Sequence, residues 1–199
     1  MPRRSQEDRS RTTRAALEDA GRRLFIERGF AGTSAQDLVA AAGVTRGALH
    51  HHYGDKRGLF LAVLEQVEVE SSAEIENAIA AHDPADLLGG MAIGLATFLE
   101  ICRRPAMLQI VLLDGPTVLG WQAFREFEAQ HGLGLITALL ERGREAGLIA
   151  DAPIPMLAQL LVSALSEAAL MVANAADPDL ARTQAQQSIM LLLAGILRG

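Results

Sequence analysis

Residues 33–56, TSAQDLVAAAGVTRGALHHHYGDK, constrain this chain more than any other part of it. Ser34 stands where a helix N-cap belongs, with Asp37 three residues on in capping-box position. Leu38, Val39 and Ala42 give that helix one buried side, and Gly43 ends it where a left-handed residue is cheapest. Thr45 caps a second short helix that turns Leu49 inward and breaks at Gly54-Asp55. Two short helices across a glycine turn make a helix-turn-helix. The second can lie in a DNA major groove, about 12 Å wide, while the first braces it.

The flanks extend this pattern. Leu17, Ala20, Gly21, Leu24 and Phe25 recur on one face of a helix over about 10–28, stopped at Gly29, and the polar residues 1–8 are expected to fray. Asp55 caps a longer helix whose Leu59, Phe60, Val63, Leu64 and Val67 repeat at helical spacing, running to about residue 81. The first strong breaker after the motif is His82-Asp-Pro84, so a stiff helix over 55–81 links the head to the remainder. Breakers at Arg104-Pro105, Asp114-Gly-Pro116, Ala152-Pro153 with Pro155, and Asp177-Pro178 predict helices near 85–102, 105–113, 117–146, 155–175 and 178–198. The expected organisation is a helix-turn-helix domain over 1–54 and a second, helical domain over 55–199.

Composition fixes the fold class. Half of the 199 residues are hydrophobic but only 4% are aromatic, and Ala and Leu dominate, which favours an all-α chain of about nine helices. The net charge of −6 conceals an asymmetry: residues 1–58 hold 11 of the 18 Lys and Arg but 7 of the 24 Asp and Glu, a net of +4 on an otherwise acidic chain. A basic head on an acidic body suits a protein that meets a polyanion with one end. Cys102 is the one cysteine, which excludes an intramolecular disulfide and points to a reducing compartment. No apolar segment follows the N-terminal Met-Pro-Arg-Arg, and tracts such as 89–99 and 190–197 fall short of the ~20 residues that span a bilayer. A cytoplasmic, nucleoid-associated protein with no membrane partner is expected.

Residues 33–60 resemble the tetracycline-repressor-like (TetR) family of transcriptional regulators. The resemblance rests on Thr33, Leu38, Ala41, Gly43, Val44, Thr45, Gly47, Leu49, His52, Tyr53, Lys56, Leu59 and Phe60. Phe25 followed by Gly29-Phe30 and Thr33 looks like the family's opening helix, and residues 114–121 look like effector domains of one branch. His50 departs from the pattern, standing where the family usually has Tyr, and Tyr53 stands where Phe is commoner. The resemblance implies a dimeric, ligand-responsive repressor of a palindromic operator, with no cofactor, in which residues 1–54 bind DNA and residues 55–199 bind ligand and dimerise.

Particular residues then take candidate roles. Arg46, in the first turn of the second motif helix, can bond guanine O6 and N7 together, although a plain phosphate contact is the alternative. Thr45 and Gly47 flank it, one offering a hydroxyl and the other a close backbone. Thr33 and Ser34 at one helix N-terminus, and Lys56 at another, are expected to meet phosphate. Lys56 is the only Lys in the chain, and Tyr53, just before it, is a further candidate DNA contact. Adjacent helical residues point about 100° apart, so His50-His-His52 cannot converge on a metal. His50 and His51 are instead expected to face phosphate.

In the body, Phe98, Met107, Leu108, Val111, Trp121, Phe124, Phe127 and Met171 are candidates for an apolar effector cavity, with Asp114 and His131 to orient the ligand. Trp121 leads that set, because a buried indole N–H needs a partner. The same residues also simply fill helical cores, and Asp114 and His131 suit caps or surface positions equally. Leu157, Leu160, Leu161, Ala164, Leu165 and Ala168, with Ile189, Leu192, Leu193 and Ile196, mark the last two helices as a homodimer interface over about 155–198. Two rivals remain: an activator or ligand-independent DNA binder, which needs no cavity, and a small enzyme. The chain has no Gly-rich phosphate loop, nucleophile elbow or metal-spaced His/Cys/Glu set, and Ser163 and Ser166 with Glu167 have no nearby His.

Overall fold

A computed structural model describes residues 6–149 and 151–196, and its regular structure is helical. In order these are α1 (Gln6–Arg28), α2 (Ala35–Ala42), α3 (Arg46–Tyr53), α4 (Lys56–Ala80), α5 (Leu87–Ile101), a π-helical segment (Met107–Asp114), α6 (Gly115–Leu119), α7 (Trp121–His131), α8 (Leu133–Glu145), α9 (Ile154–Ala173) and α10 (Pro178–Ile196). Of the expectations at the termini, residues 1–5 and 197–198 and the side chain of Ile196 lie outside the described residues.

The caps of the head follow the sequence. The Ser34 hydroxyl accepts the Asp37 N–H while the Asp37 carboxylate accepts the Ser34 N–H at 2.9 Å, closing the capping box. Gly43 turns the chain at φ 64°, ψ 31°, a left-handed conformation that other residues rarely adopt. Thr45 accepts from the Ala48 N–H, and Asp55 from the Gly58 N–H at 2.9 Å. From there α4 runs unbroken into the body.

The body departs from the expected breaks in two places. Asp114-Gly-Pro116 does not interrupt the helical path, because Pro116 falls in the first turn of α6, where its missing N–H is not needed. The single helix expected over 117–146 is instead split into α6, α7 and α8. Gly120, at φ 81° and ψ 162°, makes the first break in backbone space open only to glycine, and Gly132 makes the second.

Two apolar cores hold these elements. The first surrounds Leu17, Phe25, Leu38, Leu49, Phe60 and Ile110, with Phe60 meeting the Phe25 and Phe30 rings edge-on at 5.2 and 5.1 Å. It continues past position 55 along α4 to Val67 and onto the π-helical segment, so α4 belongs physically to head and body alike. The second joins α5, α8, α9 and α10 through Leu99, Leu140, Ile154, Ala158, Ile189 and Leu193. Bidentate pairs from Arg22 to Glu70 and from Arg104 to Glu74 brace α4 on either side.

The apolar surface of α9 and α10 is divided. Leu161, Ala168, Ile189 and Leu193 turn into the second core, while Met156, Leu160, Leu191 and Leu192 face outward, each more than half exposed. By length and composition α9 is apolar enough to cross a bilayer, which the tract lengths in the sequence did not anticipate; in this fold it packs against α8 and α10.

Candidate DNA interface and body cavity

The exposed face of α3 carries the base-reading candidates. Thr45, Arg46, Gly47, His50 and His51 are all exposed, while Leu49 anchors the helix from beneath. Among the described residues the Arg46 guanidinium has no intramolecular partner, so its fork of donors is available to base edges. His50 is oriented by its own helix end, with Nδ1 2.6 Å from the Gly54 carbonyl oxygen. If Nδ1–H donates there, Nε2 offers phosphate a donor only after protonation. His52 is half-buried, and burial followed by the nearby His51 and Arg14 charges pushes its pKa below the usual histidine range. Arg9, Arg11 and Arg14 of α1, which the motif-based reading overlooked, line a groove with Thr45, Ala48, His51 and His52.

Three of the candidate DNA contacts, Thr33, Lys56 and Tyr53, make bonds within the protein. Thr33 is 1% exposed and its hydroxyl donates to the Gly29 carbonyl at 2.8 Å and the Leu24 carbonyl at 3.2 Å, locking the turn before α2. Lys56 donates through Nζ to the Phe30 and Thr33 carbonyls, both at 2.8 Å, and sits 3.9 Å from the Phe30 ring centroid. That fork staples the α1–α2 turn to the start of α4. The Tyr53 hydroxyl donates to Glu18 Oε1 at 2.5 Å, and burial together with that carboxylate pushes its pKa up to about 12. Ser34, by contrast, is exposed at the N-terminus of α2.

In the body, α4, α5, α7, α8, α9, α10 and the π-helical segment enclose a cavity of about 140 Å³. Of the residues expected there, Phe98, Met107, Val111 and Phe124 line it. Trp121 and Met171 do not: they are 73% and 65% exposed, and the Arg125 guanidinium lies 4.2 Å from the Trp121 ring centroid. The Gly120 break places Trp121 at the start of a new helix, on the surface. His131 also lies off the lining, its ring 4.4 Å from Phe127 and its buried Nε2 without a hydrogen-bond partner. Leu108 and Phe127 pack against the first core. Asp114 lies off the lining; its carboxylate accepts the Phe30 N–H at 2.7 Å, tying the end of the π-helical segment to the head.

Sequence reasoning missed the cavity's carboxyl groups. Glu68 of α4 is 8% exposed, lines the cavity, and has no hydrogen bond or ion pair among the described residues. Burial, then the charge of Glu128, pushes its pKa up to about 7. Glu128 of α7 is also buried, and its pKa is raised by burial despite an ion pair with Arg125 at 2.7 Å. In sequence nothing in the spacing of Glu68, between Val67 and Val69, or of Glu128, between Phe127 and Ala129, marks either as facing a cavity. Only the packing of α4 against α7 shows otherwise.

Comparison with known proteins agrees with this geometry. Residues 17–63 match the tetR family of bacterial regulatory proteins, and residues 88–196 match a tetracyclin repressor-like C-terminal domain. The transcriptional regulator TtgR of Pseudomonas putida is 33% identical over 120 residues, covering 59% of this chain and 50% of that protein. This chain thus spans about half the length of TtgR and of several other curated relatives. The transcriptional repressor AcnR of Corynebacterium diphtheriae is 29% identical over 83% of this chain and 84% of its own. A crystal structure of a TetR-family transcriptional regulator from Pectobacterium atrosepticum superimposes with a TM-score of 0.79 at 32% identity, covering 98% of this chain and 99% of that one. With its helix-turn-helix and its helical body both matched, this chain belongs to the TetR family.

Proposed function

We propose that this protein is a cytoplasmic, homodimeric transcriptional repressor that grips a palindromic operator and lets go when a small molecule fills the body cavity. The observation that carries this reading is that the same two elements build the cavity wall and hold the head. Helix α4 is fastened to the head by Lys56 and carries Glu68, Ser71, Ile75 and Ile79 to the cavity. The π-helical segment lines the cavity with Met107, Val111 and Leu112 and holds the head through Asp114. A ligand that spreads these walls displaces both fastenings together, so ligand and operator oppose each other through one coupling energy.

In this reading residues 1–54 bind DNA and residues 55–199 bind the effector and the second protomer, with α4 acting in both. Arg46 reads bases, while Ser34, Thr45, Gly47, His50 and His51 fit its helix to the groove and backbone. The uncovered Met156, Leu160, Leu191 and Leu192 support a two-fold interface between α9 and α10 of two protomers. Such a dimer sets its recognition helices about 34–36 Å apart, one DNA turn. The cavity favours a ligand-gated regulator over a solid-bodied DNA binder, and the repressor relatives favour repression.

In-vitro selection of bound duplexes, repeated with a metabolite library, tests the proposal. Enrichment of a two-fold symmetric site, lost on adding one library component, is the expected result. Enrichment of asymmetric sites, or of none, would overturn it.

A further inference from the structure

The polar side chains that line the cavity are Glu68, Ser71, Ser72, Glu128 and Ser166. The Ser71 hydroxyl donates to the Val67 carbonyl at 2.7 Å, and the Ser72 hydroxyl to the His131 carbonyl at 3.5 Å, so both protons are spent inside the protein. The Glu128 carboxylate holds Arg125, whose guanidinium also reaches Ser163 Oγ at 3.2 Å. Two groups are left without a hydrogen bond or ion pair among the described residues: the Ser166 hydroxyl and Glu68, a carboxyl more than nine-tenths buried on the cavity wall. Of the two only Glu68 can carry a charge. An unpaired carboxylate is costly in an apolar enclosure, and a cation placed beside it removes that cost. The remaining wall is apolar, with the rings of Phe98 and Phe124 and the thioether of Met107 available to an aromatic group. At about 140 Å³ the space suits a single ring, since an apolar cavity of about 150 Å³ holds benzene.

We infer that the effector is a small apolar cation, a ring-sized organic amine whose ammonium group pairs with Glu68 while its hydrocarbon fills the cavity. This rests on the reading of the cavity as the effector site. The groups that bear on Glu68 are Glu128 and Arg125 of α7 and Cys102 at the end of α5, whose thiol pKa is raised chiefly by burial and then by Glu68. Arg125 is committed to Glu128, so no protein cation competes for Glu68. The pair forms only with Glu68 ionised, so binding of an amine tightens as pH rises through about 7.

The test uses the full-length dimer and two probes of equal shape, benzylamine and benzyl alcohol, with dissociation constants measured by NMR titration at pH 6 and pH 8. At pH 8 benzylamine should bind at least tenfold tighter than the alcohol, the margin between a charge-assisted and a neutral hydrogen bond. That preference should shrink several-fold at pH 6, and Glu68→Gln should abolish it at both pH values. Equal or tighter binding of the alcohol overturns the cation inference and leaves the effector cavity standing. Binding of neither probe overturns both. A preference that survives Glu68→Gln refutes the assignment to this carboxyl.

Discussion

Helix α4 carries one buried-side charge in the head and another in the body, and the two are treated in opposite ways. At its start Lys56 spends its ammonium on two carbonyls and an aromatic ring, all within the turn that leads into α2. Further along, Glu68 enters an apolar cavity with no hydrogen bond or ion pair among the described residues. The head satisfies its half-buried cation within its own fold, which holds α4 against the α1–α2 turn beneath the candidate DNA-binding surface. The body leaves one acidic group and a small void open, and an open site is where a ligand can act.

The largest expected effect breaks the head's side of this contrast. Lys56→Met strands the Phe30 and Thr33 carbonyls and should cost roughly 3 kcal/mol of stability in chemical denaturation. DNA affinity per folded dimer should change little. Unchanged stability with weakened binding to every DNA would return Lys56 to a phosphate role.

Glu68→Gln probes the other side and should stabilise. The folded-state pKa of about 7 lies above the ordinary 4.5, so the burial penalty is absent below pH 4.5 and complete once pH exceeds 7. Removing it should raise stability by about 3 kcal/mol at pH 8 and by almost nothing near pH 4.5, as read from thermal unfolding. Equal effects at both pH values would mean that Glu68 is ionised in the fold.

Smaller effects sharpen the picture. Arg46→Ala should lower discrimination between operator and random DNA by about 2 kcal/mol, with little loss on random DNA. Equal losses on both would make Arg46 a phosphate contact. Trp121→Ala should change amine binding by less than about twofold, because its ring is exposed on Arg125 and away from the cavity. A large loss of amine binding would place Trp121 at the ligand after all.

The same contrast explains what was legible beforehand. The head's caps and turns, Ser34 with Asp37, Gly43, Thr45 and Asp55, act on neighbours within a few residues, so spacing alone discloses them. The Lys56 bonds were not legible because a hydrogen bond to a carbonyl 23 or 26 residues away leaves no periodic trace, and those of Thr33 because its hydroxyl turns back onto the Leu24 and Gly29 carbonyls at the end of α1. In the body, Phe98, Met107, Val111 and Phe124 were found because apolar periodicity marks inward faces. Trp121 was lost to one backbone angle at Gly120, and Glu68 to a packing partner sixty residues on. Local chemistry is written in order along the chain; a cavity is assembled from residues that the fold brings together.

The proposed function requires the cavity and the operator to compete. The direct measurement is fluorescence anisotropy of the dimer on its selected operator, with and without benzylamine at a concentration shown by NMR to saturate the cavity. Operator affinity should fall at least tenfold, and saturating operator should weaken benzylamine binding by the same factor. Operator affinity that stays constant with the cavity filled would contradict the account.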